Sequence, residues 1–120
     1  MDTATFNQHL QYMQRVTADT LLEKAKEYAT ADRLHNFKAA AALQKISPEA
    51  ALGGMMAKHT ISIYDMIDDT EGGKVHPLPV WEEKIKDSIN YLFLLWAMVN
   101  ENAAKEQSAG AVWKGARIEP

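Results

Sequence analysis

Two sets of residues stand at spacings that would let them act together. Glu23 and Glu27 are four residues apart, and Glu83, Asp87 and Asn90 follow one another at intervals of four and three, so on a helix each set projects from one face, about a turn between members. Carboxylates brought together from different helices, in a chain with no cysteine, make a hard-oxygen site suited to Mg²⁺ or Mn²⁺. Such an ion bridges phosphate oxygens and activates water for attack at phosphorus. Lys58, Arg33 and the Asn90 amide are then the groups available for phosphate or base contacts. His59 falls among apolar residues, either as a satisfied core histidine or as part of such a site. The competing reading of the acids is a solvated helix face, on which Lys24 and Lys26 serve as counter-charges to Glu23 and Glu27.

Other chemistries have less to stand on. Gly53-Gly54 and Gly72-Gly73 lack both the spacing and the following Lys-Ser/Thr of a phosphate-binding loop. The strand-to-helix serine turn of an esterase has no counterpart. Without cysteine there is neither a disulfide nor a thiolate zinc site.

The elements that would carry these residues read as helices throughout. Phe6, Leu10, Met13 and Val16 mark one helical stripe, which Leu21, Leu22, Ala25 and Tyr28 continue, in the same helix or in a second one capped by Thr17 or Asp19. Asp32 is a candidate cap for a short helix from Arg33 to Leu43, whose four alanines allow close helix approach. Ser47-Pro48-Glu49 is a strong start signal, with a capping hydroxyl, proline at the first position and an acid in the first turn. That helix is expected to reach about Asp68 with Leu52, Met56, His59, Ile63 and Met66 on its apolar face, and to use Gly53 and Gly54 for a close helix contact. Asp68 to Pro79 reads as a loop, either a plain surface connection or a substrate lid.

The last helix is expected to start near Pro79 and to be the packing centre. Trp81, Ile85, Ile89, Leu92, Trp96 and Val99 form a broad apolar stripe, and Glu83, Asp87 and Asn90 lie on the opposite side, in a line that runs on into Leu94. Acids that begin such a line are expected at the mouth of a bundle. The fold class is all-α, a bundle of four to five helices in a single domain over residues 1–106, with a tail over 107–120. Trp113 and Ile118 in that tail are costly to leave in water, so it is expected to dock on its own bundle or on a second subunit.

Composition narrows the partners. The chain has 120 residues, 47% of them hydrophobic, and 13 basic against 16 acidic residues for a net charge of −3. That is one foldable domain without the basic stripe of a nucleic-acid binder. The apolar run Tyr91 to Val99 is less than half of the roughly 20 residues a membrane span requires. The first residues lack the pattern of a signal peptide, and the protein is expected in the cytoplasm. A helix apolar all round is hard to bury in so short a bundle, so a homodimer or higher homo-oligomer is expected.

Taken together, Lys24-Ala25-Lys26-Glu27-Tyr28, the pair Asn36-Phe37, a middle helix with Lys58, and Glu83, Asp87, Asn90 and Tyr91 resemble the small MazG-like all-α nucleotide pyrophosphohydrolases, in particular their phage and bacterial branch described as nucleotide-modification-associated. The resemblance covers roughly Thr17 to Val99. It implies Mg²⁺-dependent cleavage of a (deoxy)nucleoside triphosphate to monophosphate and pyrophosphate. Glu27, Glu83 and Asp87 would be the metal ligands, with Glu83 and Asp87 the catalytic acids and Asn90 and Lys58 near the nucleotide; Arg33 and His59 are added as substrate-binding candidates by their residue type. The sequence departs from the family's ExxE and ExxD pairs, having Glu23-xxx-Glu27 and Glu83-xxx-Asp87, with His59 and Asp65 in place of a second acid pair. A nucleotide-binding protein that does not cleave, and a helical interaction protein that oligomerises through alanine and glycine faces, are the alternatives.

Overall fold

The computed structural model describes residues 1–27 and 31–108, the side chain of Ser108 excepted. The expected docking of Trp113 and Ile118 lies outside these residues. Among them the chain is all-α, a bundle of four helices: α1 (Thr3–Ala25), α2 (His35–Gln44), α3 (Pro48–Glu71) and α4 (Leu78–Ser108). None is long and apolar enough to cross a membrane.

The first periodic stretch and its continuation are one helix. Asp2 caps α1 by accepting from the Thr5 N–H at 2.8 Å. Neither Thr17 nor Asp19 interrupts it, because the buried Thr17 hydroxyl donates back to the carbonyls of Met13 and Gln14 at 2.8 and 2.9 Å, satisfying itself without breaking the helix. α2 begins two residues later than Asp32 capping would give. Asp32 instead accepts from the Leu34 N–H at 2.9 Å and holds Lys38 at 2.6 Å, with its carboxyl drawn below the usual range chiefly by that lysine. The start signal of α3 acts as read, with Ser47 Oγ accepting from the Ala50 N–H at 3.1 Å.

α3 continues to Glu71, so the connection to α4 is only residues 72–77. It is tied down at both ends. His76 Nε2 lies 2.7 Å from Asp69, whose carboxyl it holds below the ordinary range, and the imidazole stands edge-on to Trp81 at 6.3 Å. So short and pinned a connection is a surface turn, and the lid alternative has no segment to make it from.

α4 is central. α3 runs antiparallel along it: Glu49 meets Asn102 at one end, His59 meets Asp87 midway, and the turn through His76 closes the other end. α1 runs parallel to it, Tyr12 bonding Glu82, Met13 and Thr17 beside Ile89 and Phe93, and Leu21 beside Leu94. Leu34 and Phe37 of α2, Leu52 of α3 and Met98 of α4 form the buried core, with Met55, Tyr91, Leu94 and Leu95 packed on it.

Two expectations about packing are overturned. α4 is turned the other way round its axis: Leu92, Trp96 and Val99 are 55%, 58% and 47% exposed, while Asn90 is 6% exposed. Only the first half of the apolar stripe, Trp81, Ile85 and Ile89, is half-buried, against α1. A helix apolar on all sides does not define its own inner face; the interlock of Leu94 and Met98 with Leu34, Phe37 and Leu52 decides it, and that interlock carries Asp87 and Asn90 inward. The second correction concerns Gly53 and Gly54, where a Cβ would meet nothing within 4 Å. They serve no close contact among the described residues.

Candidate functional site

Among the described residues, the site lies against α4 between the end of α1 and the start of α2. α1 ends at Ala25 and α2 starts at His35, and between them a cavity of about 90 Å³ opens onto the middle of α4. Leu21 and Lys24 from the last turns of α1 form one side, Arg33 and Phe37 the other, and Asp87, Asn90, Tyr91 and Leu94 of α4 the floor. The floor follows from helical spacing: Asp87, Asn90, Tyr91 and Leu94 are successive members of one i, i+3, i+4, i+7 face.

Asn90 is the most telling residue of the floor. Its side chain is buried, and its Oδ1 has no hydrogen-bond partner among the described residues. An unsatisfied buried carbonyl costs about 1–3 kcal/mol, and buried polar groups are otherwise almost always paired. Here the group borders a cavity in which a ligand or water can supply the missing donor.

Around it the chemistry is mixed in a defined order. Tyr91 stands between two rings, Phe37 edge-on at 6.4 Å and His59 tilted at 5.1 Å. His59 Nδ1 is also 3.9 Å from an Asp87 oxygen, both side chains about four-fifths covered. His59 thus lies beside Asp87 and Tyr91 on α3 and is not among the residues that line the cavity. Lys24 and Arg33 border the cavity with cationic side chains, and Asp87 places a carboxylate on its floor.

The cavity continues into a wider groove of about 480 Å³ that shares Leu21, Arg33 and Leu94 with it. Leu34, Phe93 and Ala97 make that groove apolar, and Asp32 and Glu101 stand on its rim. The rim is held by Lys38, which bridges Asp32 at 2.6 Å and Glu101 at 2.7 Å. Both carboxyls are kept below their ordinary range, mainly by this lysine, and Lys38 is correspondingly raised.

Of the residues expected to act together, Arg33, Asp87 and Asn90 converge and His59 stands in contact with Asp87. Glu83 is exposed one turn before Asp87, Glu27 is exposed just past the end of α1, and Lys58 is exposed beside His59; none of the three lines the cavity. No three histidine or carboxylate side chains among the described residues are grouped to hold a metal ion. The donor set that the described residues bring to the cavity floor is one carboxylate and one amide oxygen, too few for a Mg²⁺ cage made by protein alone. Lys24 and Tyr91 also line the cavity, although the resemblance, whose motifs contain both, assigned neither a role. Their signal was position, Lys24 three residues before Glu27 and Tyr91 directly after Asn90.

Comparison of the chain with known protein families, with curated proteins and with solved structures finds no match.

Proposed function

We propose that this protein binds a phosphorylated small molecule of nucleotide type at the break between α1 and α2. The observation that carries this reading is the buried, unpartnered Oδ1 of Asn90 on the wall of a cavity flanked by Lys24 and Arg33. In the proposed complex the two cations hold a phosphate at the cavity mouth, and Asn90 accepts a hydrogen bond from an N–H or O–H of the ligand. The base and sugar occupy the adjoining apolar groove against Phe93 and Leu94, where the combined space falls in the range of small-molecule sites. Titration calorimetry against a panel of nucleoside mono-, di- and triphosphates tests it. Binding by at least one nucleotide that is weakened about tenfold or more by Arg33→Gln, as expected for loss of a charge-assisted bond, supports the reading. Absence of affinity for every phosphorylated compound overturns it.

The resemblance to MazG-like enzymes adds a second reading, Mg²⁺-dependent hydrolysis of a nucleoside triphosphate. Its support in this chain is that Asp87 and Asn90 present two oxygens one turn apart on the cavity floor. Mg²⁺ commonly takes only one or two protein carboxylates, the substrate phosphates and water completing its shell; Asp87 would be that carboxylate, with Glu83 the nearest further candidate. The same calorimetry repeated with Mg²⁺, together with a pyrophosphate-release assay, separates the readings. Release that Asp87→Asn abolishes supports cleavage, and tight binding without release supports sequestration.

A further inference from the structure

Where the first half of α1 meets the start of α4 there is a separate cavity of about 210 Å³, which shares no lining residue with the one beside Asn90. Its lining includes His9, Tyr12 and Met13 of α1 and Trp81, Glu82 and Ile85 of α4. The Tyr12 hydroxyl donates to the Glu82 carboxylate, and this bond is the main reason the phenol is held above its ordinary range. Glu82 is half-buried, yet among the described residues no lysine, arginine or histidine stands within ion-pair distance of it. A carboxylate drawn partly out of water gains by a cationic partner.

We propose that this cavity binds the head group of an organic cation, an alkylammonium or quaternary ammonium ion. The charged centre pairs with Glu82, and its methyl or methylene groups lie against the Trp81 and Tyr12 rings and against Met13 and Ile85. Charge and lining together select this occupant. Indole and phenol rings attract a cation through their negative faces, and the Tyr12 ring already draws one from its own chain, the Arg15 guanidinium at 5.5 Å from its centre. A phosphate or carboxylate ligand meets Glu82 with like charge. A neutral apolar ligand strips water from Glu82 without replacing it, and a hard metal ion finds one carboxylate among largely apolar walls. The volume is below the roughly 300–1,000 Å³ of a site that encloses a drug-sized molecule, so a head group fits inside and the rest of a larger ligand stays outside.

Nuclear magnetic resonance titration of the full chain with choline chloride, against sodium chloride at equal ionic strength, tests this without any nucleotide. The control is choline's neutral isostere, in which a tert-butyl group replaces the trimethylammonium. Saturable shifts of the Trp81 indole signals are expected with choline, at an affinity about tenfold or more above that of the isostere. Glu82→Gln, which keeps an acceptor for the Tyr12 hydroxyl, is expected to weaken choline binding about fivefold or more with unchanged helical circular dichroism. Asp19→Asn, at an exposed position of α1 outside the lining, is expected to leave the affinity as it is. Absence of saturable binding overturns the proposal, and so do equal affinity for the neutral isostere, full affinity in Glu82→Gln, or an equal loss in Asp19→Asn.

Discussion

The two sides of α4 have exchanged the roles that their composition suggests. The side carrying Asp87 and Asn90 faces the core and a cavity, and the side carrying Leu92, Trp96 and Val99 faces water. A fold stabilised only by its own burial would have the opposite arrangement, because an uncovered large apolar side chain forgoes about 1.5–3 kcal/mol of transfer free energy and a buried unpaired amide carries a penalty of its own. Under the function proposed above, a ligand would answer the inner departure by pairing with Asn90.

The contrast can be broken most forcefully at the core. Leu52→Ala removes the most completely covered side chain and is expected to cost about 2–5 kcal/mol in urea unfolding. Leu92→Ala, at a 55% exposed position, is expected to change stability by no more than about 0.5 kcal/mol. Equal costs would mean that the faces of α4 are assigned wrongly.

A smaller effect of opposite sign is expected on α3. Gly53→Ala and Gly54→Ala meet no neighbour, so each should gain up to about 1 kcal/mol from helix propensity and reduced freedom of the unfolded chain. A loss at either position would show that a close approach exists there after all.

Smallest is the acid sensitivity of the tie between α2 and α4. Asp32 and Glu101 have depressed pKa values in the folded chain, through Lys38. Their contribution is present above the ordinary carboxylate range and is lost as pH falls through the depressed values. Lys38 is raised, so its share is present below the ordinary lysine range and is lost as pH climbs through the raised value. Melting of Lys38→Met should therefore depend less on pH than the wild type in both acid and alkali. Because all three groups are at the surface, the difference should also shrink with added salt.

How far the residues themselves disclosed this arrangement differs by element. The all-α class, the start of α3 at Ser47-Pro48 and the shared face of Asp87 and Asn90 were legible, since they rest on local capping and on spacing along one helix. The rotation of α4 was not. Tyr91 to Val99 offers apolar atoms in every direction, and only contacts with Leu34 and Phe37, distant in sequence, select the inner face. Glu27 and Glu83 illustrate the same limit: four-residue spacing puts an acid on a face but does not say which face the neighbouring helix covers. Asp32 shows a local ambiguity, because a carboxylate three residues ahead of a helix can tie the entering turn and a lysine as readily as cap the first turn.

Replacing Asn90 by leucine tests the central claim most directly, because it removes the unpaired amide oxygen while keeping a branched side chain of four heavy atoms. If Asn90 is kept for a ligand, Asn90→Leu should raise unfolding stability by about 1–3 kcal/mol while abolishing nucleotide affinity in calorimetry. A variant that is less stable than the wild type, or that binds nucleotide as well as the wild type does, would contradict the account.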